Sequence, residues 1–181
     1  MNKKEKAVFG GGCFWCTEAI YKRITGVVSV TPGYAGGEVP HPTYEQVCRG
    51  TTGHAEVIEV EYDPQTVSYA DLLQVFWYAH DPTTLDRQGN DVGEQYRSII
   101  LYANEEQRTH AEASLKEADQ SGMFRNPIVT RIEKLGAFFP AEDYHHDYFA
   151  NNPNQPYCQT VISPKVQHFL RDHADVLKEG D

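Results

Sequence analysis

The sequence predicts an α+β domain with helices laid on a sheet, an α/β arrangement being the alternative left open at this level. Three observations carry that prediction. The hydrophobic period switches between two and about 3.6 residues in the order strand, helix, strand, then strand, helix, strand, before a helical tail. The alternating segments follow one another without long linkers, so helices and strands must pack as layers of one unit. At 181 residues the chain fits one ordinary domain and can bury most of its apolar surface without disulfide staples. No internal repeat, low-complexity run or domain boundary divides it, so residues 1–181 are expected to form a single domain.

The elements follow in order. "KAVFGGG" reads as a short apolar strand ending in glycines, after which the period turns helical from Cys13 to about Arg23. "GVVSVTPGYAGG" gives a second strand, expected to be broken by Pro32 and Gly33, and a Gly/Pro/His-rich loop runs on through "EVPHPTYEQVCRGTTG". A strand at "HAEVIEVEYDP" is followed by an amphipathic helix in "SYADLLQVFWYAHDP", with Ser68 as its cap. "TTLDRQGNDVGEQYRS" is a polar loop of about 15 residues, long enough to suggest function rather than mere connection. Next come a strand at "SIILYA", a helix capped by Asn104 and stopped by Gly122, and a strand near "IVTRIEKL". A short helix at "AEDYHHDYFANN" and an irregular "PNQPYCQTVISP" lead to a C-terminal helix near Pro164, with "QTVISPKVQHFLRDHADVLK" read as a strand and a helix.

Composition excludes several function classes. A formal net charge of -10 and a pI near 5.2 leave no basic face for a phosphate backbone, so no nucleic-acid partner is expected. No apolar run approaches the roughly 18 residues of a membrane span. The N-terminal "MNKKEKAVF" reaches glycines before a secretory h-region could form. A cytoplasmic monomer with reduced thiols is therefore expected. Eleven Tyr against eight Phe is the informative excess, because Tyr offers a pocket both an apolar body and a polar donor.

Two thiols, Cys13 and Cys16, stand three residues apart where a glycine turn opens into a helix. At that spacing their Cα atoms lie about 5 to 6 Å apart, inside the disulfide range of about 4.4 to 6.8 Å. The helix N-terminus is expected to favour a thiolate at Cys13. Nucleophilic redox chemistry, small buried hydrophobes and a metal pair are the three readings. The metal reading would also need Cys158 and a histidine, and the other thiols, Cys48 and Cys158, stand alone in sequence. A thioredoxin-like dithiol is a further rival, but the Pro usual within its C-x-x-C is missing.

The strand at "HAEVIEVEYDP" alternates, placing Glu56, Ile58, Val60 and Tyr62 on one face and Val57, Glu59 and Glu61 on the other, expected to be solvated. Glu56 therefore begins an apolar face. Desolvation there raises a carboxyl pKa and can keep it protonated as a proton donor, unless its place near the strand end lets it reach water.

Together these residues spell a resemblance. "GCFWCTEA" resembles the GCFW signature of the A-type peptide methionine sulfoxide reductases, and "GYAGG", "PTYEQVC", "TGHAEVIEVEYDP", "LLQVFWYAHDPTT", "RQGNDVGEQYRS" and "PAEDYHHDY" follow in the family's order, covering about residues 7 to 165. The resemblance implies a two-layer α+β sandwich with a ferredoxin-like β-α-β-β-α-β core, a mixed sheet, extra helices and an extended C-terminal segment. It implies reduction of the S epimer of methionine sulfoxide, free or in proteins, without metal or organic cofactor. Cys13 would be the nucleophile and become a sulfenic acid. Phe14 and Trp15 would wall the substrate methyl, Glu56 would protonate the sulfoxide oxygen, Tyr44 and Tyr96 would hold that oxygen, and Asp91 would shape the pocket. Family members differ in where the resolving thiol lies. Helix spacing favours Cys16, with Cys158 as the alternative or a relay, and the resulting disulfide would be recycled by thioredoxin or a similar dithiol. Cys48 is read as structural, and His54 receives no role.

Overall fold

A computed structural model describes residues 3–179. Its centre is a six-stranded sheet in the order β7-β6-β1-β3-β2-β8, formed by β1 (Glu5–Gly11), β2 (Val27–Ala35), β3 (Ala55–Tyr62), β6 (Ser98–Tyr102), β7 (Arg131–Lys134) and β8 (Phe138–Pro140). The inner strands β6-β1-β3-β2 pair antiparallel and carry the β-α-β-β-α-β connectivity, with α1 (Phe14–Tyr21) after β1 and α3 (Tyr69–Ala79) after β3. β7 adds in parallel to β6, which makes the sheet mixed, and β8 closes the other edge antiparallel to β2. The expected α+β class with a ferredoxin-like core is the fold observed. Among the described residues no helix is long and apolar enough to cross a membrane.

The main core lies between this sheet and α1, α3, α4 (Glu105–Gln120) and α6 (Ser163–Asp172). Phe9, Tyr21, Ile58, Leu72, Leu73 and Phe76 are all buried there. Local chemistry explains the helix starts. Ser68 and Asp71 form a reciprocal capping box at α3, and Asn104 accepts from Gln107 N–H at α4. The second sheet face is not solvated along its whole length. Val8, Val57, Ile99 and Leu101 bury there with Ala35 and Ala55, whereas Glu59 and Glu61 lie towards the wet end.

Several further expectations are corrected. β2 runs unbroken through Pro32 and Gly33, because Pro32 lies beyond the last residue paired with β8, where a ladder N–H is not required. Gly33 is required by proximity, since a Cβ there would lie 2.4 Å from the Phe138 ring. The loop between β2 and β3 contains a short helix, α2 (Tyr44–Cys48), started by a Thr43–Gln46 capping box. The polar loop after α3 folds into a hairpin, β4 (Arg87–Gln88) with β5 (Asp91–Val92), then a 3-10 turn, Glu94–Tyr96. The helix expected at residues 141–152 is a 3-10 turn, Asp143–His145, and a one-turn helix, α5 (Tyr148–Asn151). No strand forms at the expected C-terminal position. Cys158–Ile162 is a π-helical turn running directly into α6, so the apolar positions of that stretch serve a helix face.

Candidate active site

The glycine turn decides how α1 begins. Gly12 has φ +89°, a left-handed conformation that glycine adopts without strain, and the chain there turns from β1 into α1 with Cys13 in an extended conformation at the cap. The first amides of a helix have no partner within it. Here they are divided between two functional groups. Phe14 N–H donates to Oε1 of Glu56 at 3.2 Å, and Trp15 N–H points to the Cys13 thiol. Glu56 reaches this end from β3, opposite Tyr34 of β2 in the ladder, so strand pairing brings a carboxyl to a helix start 42 residues away.

Glu56 is 2% exposed, and its Oε2 is buried without a partner. Burial pushes its pKa up to about 8; the Phe14 amide opposes this, and the charges of Asp91 and Cys16 add to it. At neutral pH the carboxyl is therefore mainly protonated, with a buried oxygen that has nothing to bond to. Such an orphan is costly in a folded protein and marks a place where a further polar atom belongs.

The thiol expectation is reversed for Cys13. Burial pushes Cys13 well up, and its contact with Cys16 and the field of Glu56 add to this, outweighing the Trp15 amide. Cys16 is lowered because the Cys13 thiol donates to it, with Lys165 and the Tyr157 hydroxyl helping. Cys16 is thus the readier of the two to lose its proton, and the helix terminus does not by itself ionise Cys13. Cys158 is fully buried in the π-helical turn, and the thiol whose charge it feels is Cys16. All four cysteines are free. Among the described residues no cluster of three or more His, Cys, Asp or Glu is arranged for a metal ion.

Around this centre the aromatic residues divide by depth. Phe14 has no exposed surface and backs the site, touching Tyr34, Tyr44 and His145. Trp15 is partly exposed. It stacks on Tyr148 with ring centroids 3.8 Å apart and planes 8° apart, and meets Tyr157 edge-on at 5.8 Å. Tyr44 stands beside it at the start of α2. Tyr44 and Tyr96 are both partly exposed, and burial followed by the nearby Glu56 pushes both hydroxyls up, keeping them as proton-bearing donors. Asp91 on β5 accepts the Tyr157 hydroxyl at 2.6 Å and faces Cys16 and Glu56 electrostatically. The structure thus gathers Cys13, Cys16, Phe14, Trp15, Tyr44, Glu56, Asp91 and Tyr96 into one neighbourhood.

Sequence reasoning missed the residues that hold these in place. Glu142 accepts from the Tyr34 hydroxyl at 2.9 Å and from Tyr44 N–H at 3.1 Å, tying β2 and α2 to the segment after β8. His145 is fully buried and accepts the Trp15 indole N–H at 3.0 Å. Tyr148 and Tyr157 pack on Trp15. The signal available for them was the tyrosine excess and their place in "PAEDYHHDY" and "QPYCQ". Cys48, expected to be structural, is exposed at the end of α2 and bonds to the Tyr44 hydroxyl. His54 clasps the glycine loop, accepting from Gly37 N–H at 2.9 Å and pairing with the Val39 carbonyl at 2.7 Å.

Comparison with known proteins places this arrangement among relatives. A family model described as peptide methionine sulfoxide reductase matches residues 5–177. A curated protein of Saccharolobus solfataricus, named peptide methionine sulfoxide reductase MsrA, is 55% identical over 174 residues, which is 96% of this chain and 97% of the relative. Reduced Mxr1 of Saccharomyces cerevisiae superposes with a TM-score of 0.79 at 35% identity, covering 86% of this chain and 90% of that one. The same yeast protein, solved in complex with Trx2, matches in fold with a TM-score of 0.53 at 24% identity, covering 80% of this chain and 85% of that one.

Proposed function

The chain belongs to the peptide methionine sulfoxide reductase family and reduces methionine sulfoxide, and from that premise we propose how its own residues do so on the S epimer, free or in proteins. The carrying observation is the protonated, orphaned Oε2 of Glu56 beside the helix start that bears Cys13. That oxygen is the donor awaiting the sulfoxide oxygen, and Tyr44 and Tyr96 supply two more hydroxyl donors next to it. Trp15, Tyr148 and Tyr157 receive the methyl group and the thioether stem. Burying a methyl is worth only about 1 kcal/mol, whereas an unpaired buried polar group costs about 1 to 3 kcal/mol. The polar donors therefore separate sulfoxide from thioether, and the wall selects the epimer.

Chemistry follows from the pairing of groups. As Glu56 protonates the sulfoxide oxygen, the substrate sulfur gains positive charge, which favours thiolate at Cys13 despite its burial. The Cys13 sulfur attacks the substrate sulfur as its proton passes to the Glu56 carboxylate; the substrate S–O bond then breaks as the protonated oxygen passes to Cys13, leaving the thioether, a Cys13 sulfenic acid and Glu56 protonated again. The Cys16 thiol then attacks the Cys13 sulfur, water leaves, and a Cys13–Cys16 disulfide forms. Support for Cys16 is its hydrogen bond with Cys13, whereas Cys158 is fully buried and the thiol it feels is Cys16. A dithiol donor of the thioredoxin kind, as in the yeast relative's complex with Trx2, reduces the disulfide and becomes one itself. A cytoplasmic setting fits chemistry that starts each turnover from reduced thiols.

The test is single turnover with an S-sulfoxide peptide. Cys13→Ser is expected to form no methionine, and appreciable turnover in that variant overturns the reading. Cys16→Ser is expected to release one methionine per enzyme and fail to recycle with thioredoxin, while Cys158→Ser recycles. The reverse pattern moves the resolving role to Cys158.

A further inference from the structure

One buried carboxyl near the site takes no part in the chemistry above. Glu18 lies on α1, one turn beyond Trp15 on the same face, and only 2% of its surface is exposed. Its Oε2 accepts the Asp147 N–H at 3.1 Å, and its carboxylate also takes the Tyr148 N–H. Asp147 is the residue before α5 and has φ +54°, a strained conformation for a residue with a Cβ. Its own side chain makes no cap bond to α5 and pairs instead with Lys22 at the C-terminal cap of α1. The cap that α5 lacks is thus supplied from another helix. The residue so held, Tyr148, is the one stacked flat on Trp15.

We infer that Glu18 is a positioning residue whose carboxylate grips the amides of Asp147 and Tyr148, holds the Tyr148 ring against Trp15, and so fixes the wall that receives the substrate methyl. The inference rests on the reading of that wall given above. Trp15 is clamped from two directions, by His145 at its indole N–H and by Tyr148 on its face, and only the second clamp runs through Glu18. The charged groups around Glu18 are Lys22 and Arg23 just past the end of its own helix and Asp147 of the facing segment. Burial raises its pKa to about 7, with Lys22 and the Tyr148 amide opposing. Above that value the carboxylate accepts both amides. As pH falls through it, a proton occupies the carboxyl, the grip weakens, and the wall loosens.

Two measurements test this, one with substrate and one without. In single turnover with a sulfoxide peptide at pH 8, Glu18→Ala is expected to raise the half-saturating concentration roughly tenfold, the scale of a damaged apolar slot, while the maximal rate holds. Glu18→Gln keeps a single acceptor oxygen, as the protonated carboxyl does, and is expected to hold from pH 8 to 6 the raised value that the wild type reaches only as pH falls. The second measurement follows the indole N–H resonances of Trp15 and Trp77 with pH. The Trp15 signal is expected to move with a midpoint near 7 in the wild type and to lose that component in Glu18→Gln, while Trp77, bonded to Ser114 in the core, stays fixed in both. His145, which burial lowers, and Glu56 are present in both proteins, so whatever they contribute to the Trp15 titration remains in Glu18→Gln. An unchanged Trp15 titration in Glu18→Gln overturns the inference. The resonance does not depend on turnover, so it reports the Glu18 grip even where the reductase reading fails.

Discussion

At Glu56 one carboxyl combines three properties that each follow from its place. It begins the inward face of β3, it lies beside the first free amide of α1, and its second oxygen has no partner. Its pKa near 8 fixes the pH behaviour of the proposed reaction. The acid must be protonated, so the single-turnover rate is expected to hold below pH 8 and fall as pH rises through it. Glu56→Gln is expected to slow that step by roughly 100-fold at neutral pH and to remove the alkaline limb; a rate near wild type would assign the proton to the tyrosines. The same substitution bears on stability. Because the folded pKa is raised, the protonated carboxyl favours the fold, and that contribution declines from the unfolded pKa upward and is lost as pH passes through about 8. Glu56→Gln should therefore be more stable than wild type by on the order of 1 to 3 kcal/mol at pH 7 and above, read from denaturant midpoints. A gain in stability with a loss of rate is what a residue kept for function predicts.

The site's geometry is set by where α1 starts. Gly12→Ala would put a Cβ 2.6 Å from Cγ of Gln88 in a backbone conformation that alanine rarely adopts. Gln88 cannot easily yield, because its amide holds both Asp81 N–H and the Asp81 carbonyl at 2.9 Å. The substitution is expected to cost about 1 to 3 kcal/mol and to lower the single-turnover rate by displacing Cys13; urea unfolding and peroxide-free kinetics measure the two effects separately. A second strap runs through Glu142, which joins β2, α2 and the segment leading to His145. Glu142→Ala is expected to weaken peptide binding more than the maximal rate, since it frees the α2 start that carries Tyr44 without touching Cys13 or Glu56. Equal losses in both quantities would place Glu142 nearer the chemistry than its bonds suggest.

Across the whole molecule, two buried carboxyls with raised pKa values, Glu18 near 7 and Glu56 near 8, act in one direction. Both contribute stability that is lost as pH rises through those values, and a chain of net charge -10 gains further self-repulsion there. The melting temperature is expected to fall between pH 6 and 9, and the Glu18→Gln, Glu56→Gln double variant should flatten that fall; an equally steep decline in the double variant would locate its cause elsewhere. The element order, the caps at Ser68 and Asn104, the inward side of Glu56 and the spacing of Cys13 and Cys16 were all legible in the sequence, because each depends on periodicity or on contacts a few residues long. Pro32, the hairpin at β4 and β5 and the turn at Cys158 were not, because edge exposure and packing against distant elements overrode local propensity. The sequence by itself determined which groups are present and which face of their own element they occupy. Only the tertiary structure decided that Cys13 is held as a thiol and Cys16 lowered. It also decided that Phe14 is fully buried while Tyr148 and Tyr157 pack on Trp15, and that Glu18 and Glu142 bond to the backbone or side chains of the segments around them. These outcomes depend on desolvation and on hydrogen bonds between residues far apart in the chain, which no local pattern encodes.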